Sequence, residues 1–137
     1  MIPIKTLSKK NFKKYGLILE PQDKKRIFTV LCGDKGSKGW RIGYVMLGPE
    51  KVTSLEAHPE SDETFEPVFG ISILLVAEPK TPDKIEAFLL DKGVLVKKGV
   101  WHGLRVLSEK AGIKVTENYE VASVFHKLKK PIDINFV

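Results

Sequence analysis

What most constrains this chain is its punctuation: short apolar or alternating runs are separated every few residues by turn-forming Gly, Pro, Asp and Asn clusters, which leaves little room for helices. The strongest run, Ile71 to Ala77, is apolar enough to be covered on both sides, so it predicts a strand between two layers. Arg26 to Cys32 is β-branched and aromatic. Trp40 to Leu47 alternates, with Trp40, Ile42, Tyr44 and Met46 on one side, and Gly33 to Gly39 between these two runs predicts a hairpin. Lys51 to His58, Glu63 to Phe65, Lys84 to Leu90, Val94 to Lys98, Arg105 to Leu107 and Tyr119 to Leu128 add further short strands, with turns at Asp91-Lys92-Gly93, Lys110-Ala111-Gly112 and Glu117-Asn118. One short helix is expected near the start, capped by Ser8, stapled by Leu7 on Phe12 and closed by Gly16. Roughly ten short strands with almost no helix argue for an all-β, closed or two-sheet antiparallel architecture.

The chain of 137 residues, with 42% hydrophobic and 29% charged residues, suits a single domain spanning residues 1–137 with a genuine core. No apolar run approaches the roughly 18 residues that cross a bilayer, and the first residues lack a signal-peptide layout, so a cytoplasmic protein without membrane contact is expected. Cys32 is the only cysteine, which excludes an internal disulfide and a thiolate zinc site; it reads as a small buried hydrophobe. The net charge of +6 comes almost wholly from lysine, with three arginines and no nucleic-acid motif. A lysine-rich solvated surface is therefore expected, with a small anionic substrate rather than nucleic acid as the partner.

Chemistry concentrates in two segments. In the strand ending at His58, period-two geometry puts Glu56 and His58 on one face, and Glu63 follows the turn Pro59 to Asp62. Some forty residues later comes Gly99-Val100-Trp101-His102. His58, Glu63 and His102 make an acid/base set, or bind one divalent metal with Glu56 as a fourth ligand or proton shuttle. Lys97 or Lys98 is placed to hold an anion, only one of the two facing a pocket because strand neighbours alternate. Tyr44, Phe88, Trp101 and Phe125 are candidate pocket walls, and His126, beside Lys127 and Lys129, is expected to be exposed and idle.

The spacing Glu56-x-His58-x4-Glu63-x6-Gly70 resembles the first signature of the cupin superfamily, with Glu56 where the first His would stand. Lys97 to His102 resembles the second signature, with Lys97 in place of proline. A closer likeness is to the ureidoglycolate lyase family, also called ureidoglycolate hydrolase. It rests on Leu7-Ser8, Phe12 and Tyr15-Gly16, on His58-Pro59 with Phe65-Glu66-Pro67, and on Val100-Trp101-His102. The resemblance implies a cupin-type double-stranded β-helix (jelly roll), a homodimer, and release of urea from ureidoglycolate to give glyoxylate, as in purine breakdown through allantoin. Departures fall at Glu63, where the family has glutamine, at Gly103, where it has a second His, and at Lys114 to Glu117, where it has an Asp-Arg pair. Two other readings share the residues: another metal-dependent cupin enzyme, an isomerase or oxygenase, and a non-catalytic module that holds a small ligand.

Overall fold

The computed structural model describes residues 1–135. The strand β1 (Ile2–Lys5) comes first, then the single turn of helix α1 (Lys9–Phe12) and β2 (Gly16–Ile18). After a long irregular stretch come β3 (Arg41–Leu47), β4 (Ser54–Ala57), β5 (Glu63–Phe69), β6 (Ser72–Ala77) and β7 (Glu86–Leu89). The last set is β8 (Val94–Val96), β9 (Trp101–Val106), β10 (Ala111–Glu117), β11 (Val124–Lys127) and β12 (Ile134–Asn135). They form two sheets, β11-β4-β9-β6-β7-β1-β12 and β2-β8-β5-β10-β3. Pairing is antiparallel except that β1 runs parallel to β7 and β12.

The two-sheet β architecture is the one expected, and β6 shows why its sequence reads as it does. All six of its residues are buried. Leu74 and Val76 point between the sheets, into a core with Phe12, Tyr15, Phe65, Phe88 and Ile113. Ile73, Leu75 and Ala77 point the other way, into a second apolar layer with Val52, Leu55, Leu128 and Ile132. A strand covered on both faces has no solvent side, so its sequence cannot alternate. Lys84 to Leu90, expected as a strand, supplies β7, which pairs with β6.

Several expectations fail, each for a tertiary reason. The predicted hairpin does not form: residues 26–32 are in no strand, and β3 pairs instead with β10 along its whole length. Ile27, Phe28 and Val30 are exposed, and so is Cys32, which is therefore no core residue. The strand β10 falls where the sequence shows turn signals at both ends, at Ala111-Gly112 and at Glu117-Asn118, yet it sits between β3 and β5. Ser8 does cap α1, with Asn11 returning the bond to complete a capping box. Gly16, however, closes no left-handed turn. It begins β2, where a Cβ would collide with the Leu95 carbonyl of the paired strand β8.

Gly70 ends β5 with φ 75°, and a Cβ there would meet the Lys110 carbonyl oxygen and Ala111. Both the left-handed backbone and the close approach demand glycine. Gly70→Ala is expected to lower stability by about 2–3 kcal/mol, read by urea unfolding, since backbone strain adds to the clash. An unchanged midpoint would show that the turn adapts without strain.

Candidate functional site

Register alone assembles most of the site. Phe125 on β11 lies opposite Glu56 on β4, and Glu56 lies opposite His102 on β9, so these side chains stand in a row on one sheet. The other sheet contributes a row from β5, β10 and β3: Glu63 opens β5, and Glu117 lies opposite Arg41. His58 follows β4, and its carbonyl accepts the Gly99 N–H at 2.9 Å, which ties the two motif-bearing segments together. The rows face each other at one end of the space between the sheets. His58, Glu63 and His102 are all buried there, beside the apolar core that fills the rest.

Glu63 Oε2 lies 2.8 Å from His58 Nε2 and 3.4 Å from His102 Nε2. Glu56 Oε1 stands 3.4 Å from His58 Nε2, and Glu117 Oε1 3.8 Å. The two imidazole centroids are 5.1 Å apart. The other ring nitrogens are held from behind. His102 Nδ1 faces the Val100 carbonyl at 3.3 Å, and His58 Nδ1 faces the Ala122 carbonyl at 3.3 Å and Ser123 Oγ at 3.2 Å. The Ser123 hydroxyl gives its own proton to Glu56 at 2.8 Å, so it can only accept from His58. Every neighbour of each Nδ1 is thus an acceptor. In the neutral rings this places the proton on Nδ1 and leaves each Nε2 an acceptor beside Glu63.

The consequence is a buried cluster of acceptors with no hydrogen to share. Glu63 Oε2 is buried and receives no well-formed hydrogen bond despite the short contact to His58, because the contact lies off the axis of the ring nitrogen. Two changes relieve it: a second proton on His58, or a cation among the donors. Burial, the largest influence on His58, pulls its pKa down, but the combined pull of Glu63, Glu56 and the Ala122 carbonyl outweighs it and raises the pKa above its ordinary value. His102 goes the other way: burial lowers its pKa, and Glu63 only partly offsets this. A divalent cation fits the donor set. Glu56, His58 and His102 form one group whose ligand atoms lie within 4.8 Å of one another, and His58, Glu63 and Glu117 form another. Glu63 Oε2, at 2.8 and 3.4 Å from the two Nε2 atoms, joins the groups at distances near the roughly 3 Å between neighbouring ligands of an octahedral ion with ~2.1 Å bonds.

The remaining sequence candidates lie elsewhere. Lys97 Nζ donates to the Lys13 carbonyl at 3.0 Å, in a separate cleft of about 710 Å³ beside Lys10, Lys14 and Glu86. Lys98 pairs with Asp34 at 2.6 Å and so pins the loop before β3. Neither holds an anion at the histidines. Tyr44 is half-exposed on the outer face of its sheet, packed over Gly112 with Phe69. Trp101 belongs to the outer apolar layer, with its indole N–H on the Pro79 carbonyl, and Phe88 is sealed in the core. Phe125 alone of the candidate walls shares the site's row, on an exposed edge strand. His126 is not idle: it bonds Asp83 at 2.8 Å and packs on Trp101.

Two residues of the site are not visible in the sequence pattern. Glu117 has the signature of a turn residue because Asn118 follows it, and Arg41 falls in the run that predicts a hairpin which does not exist. Their signal is mutual: an arginine opening one strand and a glutamate closing another pair across an antiparallel register, with Arg41 Nη2 and Nε both on Glu117 Oε2 at 2.9 and 3.0 Å.

No protein-family model matches the chain, and no curated protein does. Solved structures do share its fold. RmlC from Streptococcus suis in complex with dTDP-D-xylose aligns with a TM-score of 0.52 at 20% identity, over 61% of this chain and 46% of that one. A dTDP sugar isomerase from Desulfovibrio desulfuricans G20 gives 0.51 at 14%, over 66% and 64%. A variant of oxalate decarboxylase from Bacillus subtilis gives 0.50 at 15%, over 64% and 24%. The chain thus spans less than two thirds of each of these proteins, and at such identities the likeness speaks to the fold, a cupin-type jelly roll.

Proposed function

We propose that this jelly roll is an enzyme that binds one divalent cation through His58, Glu63 and His102 and acts on a small hydroxy or keto acid, by lyase chemistry of the kind that releases urea from ureidoglycolate. The observation that carries the reading is the unpartnered Glu63 Oε2 between two imidazole Nε2 atoms in a buried site. Three converging acceptors are costly to bury, and a cation turns the cost into binding. Imidazole and carboxylate donors without thiolate suit manganese or iron(II) better than a soft-ligand metal.

When bound, a divalent cation supplies Lewis-acid polarisation of substrate oxygens. The chain's own residues supply the rest. Expelling urea requires a base for the hydroxyl proton and an acid for the departing nitrogen. Glu56 and Glu117 are the carboxylates at the rim for proton transfer, the first oriented by Ser123 and the second by Arg41. The apolar wall formed by Val76 and Phe65 beside His102 keeps water from its inner side.

A cation-free reading has its own support, the opposite displacement of the two imidazole pKa values. His58 would then be the acid and His102 the base. Metal analysis after purification without chelators separates the two. The first reading expects about one equivalent of manganese or iron, and Mn²⁺ at a hundredfold excess over its Kd raises stability by about 2.7 kcal/mol, with chelator reversing both that gain and urea release. Turnover untouched by chelator would select the acid/base reading. Absence of turnover with any hydroxy or keto acid would leave a ligand-binding module.

A further inference from the structure

We infer that Arg41 is the residue that grips the substrate's carboxylate, taking it on the guanidinium face that Glu117 leaves open. The inference rests on the reading of the site as one for small hydroxy or keto acids, and adds the group that recognises the acid. Such a substrate needs a cation for its carboxylate, and Lys97 and Lys98 are committed elsewhere. Among the described residues, Arg41 is the one lysine or arginine ion-paired with a carboxylate of the cluster.

Its geometry is that of a half-used fork. Nε and Nη2 both meet the same oxygen, Glu117 Oε2, so the remaining N–H groups of the five on a guanidinium have no part in that pair. The side chain is 49% exposed and lies on β3, an edge strand, so an incoming anion can reach it. Glu117 itself measures the gap. With one oxygen on Arg41, its other oxygen stands 3.8 Å from His58 Nε2, so one carboxylate's width separates the guanidinium from the imidazole cluster. Charge points the same way. A divalent cation and Arg41 together balance Glu56, Glu63 and Glu117; without the guanidinium the site would meet an anionic substrate with net negative charge.

Calorimetric titration of glycolate and of its uncharged analogue glycolamide tests the assignment, on Mn²⁺-loaded and on metal-free protein. Arg41→Ala is expected to weaken glycolate binding at least about tenfold, the size of one lost charge-assisted bond, while leaving glycolamide binding within threefold. Arg41→Lys should recover part of the loss, since a point charge keeps the attraction without the fork. Unchanged glycolate affinity, equal losses for glycolate and glycolamide, or no glycolate binding by the wild type in either form would overturn the inference. Mn²⁺ titration into the metal-free wild type reports separately on the metal reading. Its failure would remove the cation and leave the Arg41 comparison on metal-free protein intact.

Discussion

Glu63→Gln is expected to abolish turnover and to weaken Mn²⁺ binding by at least about a hundredfold, while leaving the metal-free protein as stable as before to within roughly 2 kcal/mol. The asymmetry follows from the acceptor cluster. Glutamine keeps the shape of Glu63 but replaces one oxygen with an amide that can donate to the lone pairs of His58 and His102, so the unpartnered buried oxygen disappears. What the fold gains by that exchange, the cation site loses, because a neutral amide is a poor ligand for a hard divalent ion. Metal content and urea release are measured together with thermal unfolding. A variant that melts far below the wild type would make Glu63 a structural residue. One that still binds Mn²⁺ with full affinity would remove it from the ligand set.

The largest loss of stability is expected from Phe88→Ala, about 3–5 kcal/mol, or a fall in Tm of roughly 10–17 °C for a chain of this size. Phe88 is fully buried and packs edge-on against Phe12 at 5.3 Å and against Tyr15 at 6.0 Å. These three rings lock α1 and the turn after it onto the sheet, so the cavity left by alanine cannot close without moving the helix. Tyr15 adds a constraint of its own: burial, with Glu86 beside it, pushes its hydroxyl pKa well up, so the ring is held neutral. Phe88 also lies opposite Leu74 on β6, and β6 pairs in turn with β9, which carries His102. The loss would take up a large part of a typical total stability of 5–15 kcal/mol. Denaturant titration checks it; a shift below about 1 kcal/mol would mean that the core repacks around the gap.

Much of the fold is legible in the residues alone. Ile71 to Ala77 announces a strand buried on both faces because all but Ser72 are apolar, and β6, from Ser72 on, is buried throughout. Period-two alternation puts Glu56 and His58 together because successive strand residues face opposite sides, a fact of local backbone geometry. The helix cap at Ser8 is local too, three residues and two hydrogen bonds. Local signals fail where pairing overrides them. Arg26 to Cys32 has the composition of a strand but pairs with none, although the outer edge of β3 is open, and its apolar side chains stay in solvent. Ala111 to Glu117 carries turn residues at both ends, yet the two neighbours that flank it make it a strand.

The amino-acid sequence by itself determined the all-β class and the two segments that carry His58, Glu63 and His102, because strand period, turn chemistry and motif spacing act over a few residues. Only the tertiary structure decided which other side chains join them. Glu117 and Arg41 enter, and Lys97, Lys98 and Tyr44 leave, because strand order and register set which residues share the space between the sheets, and those depend on pairings between segments tens of residues apart.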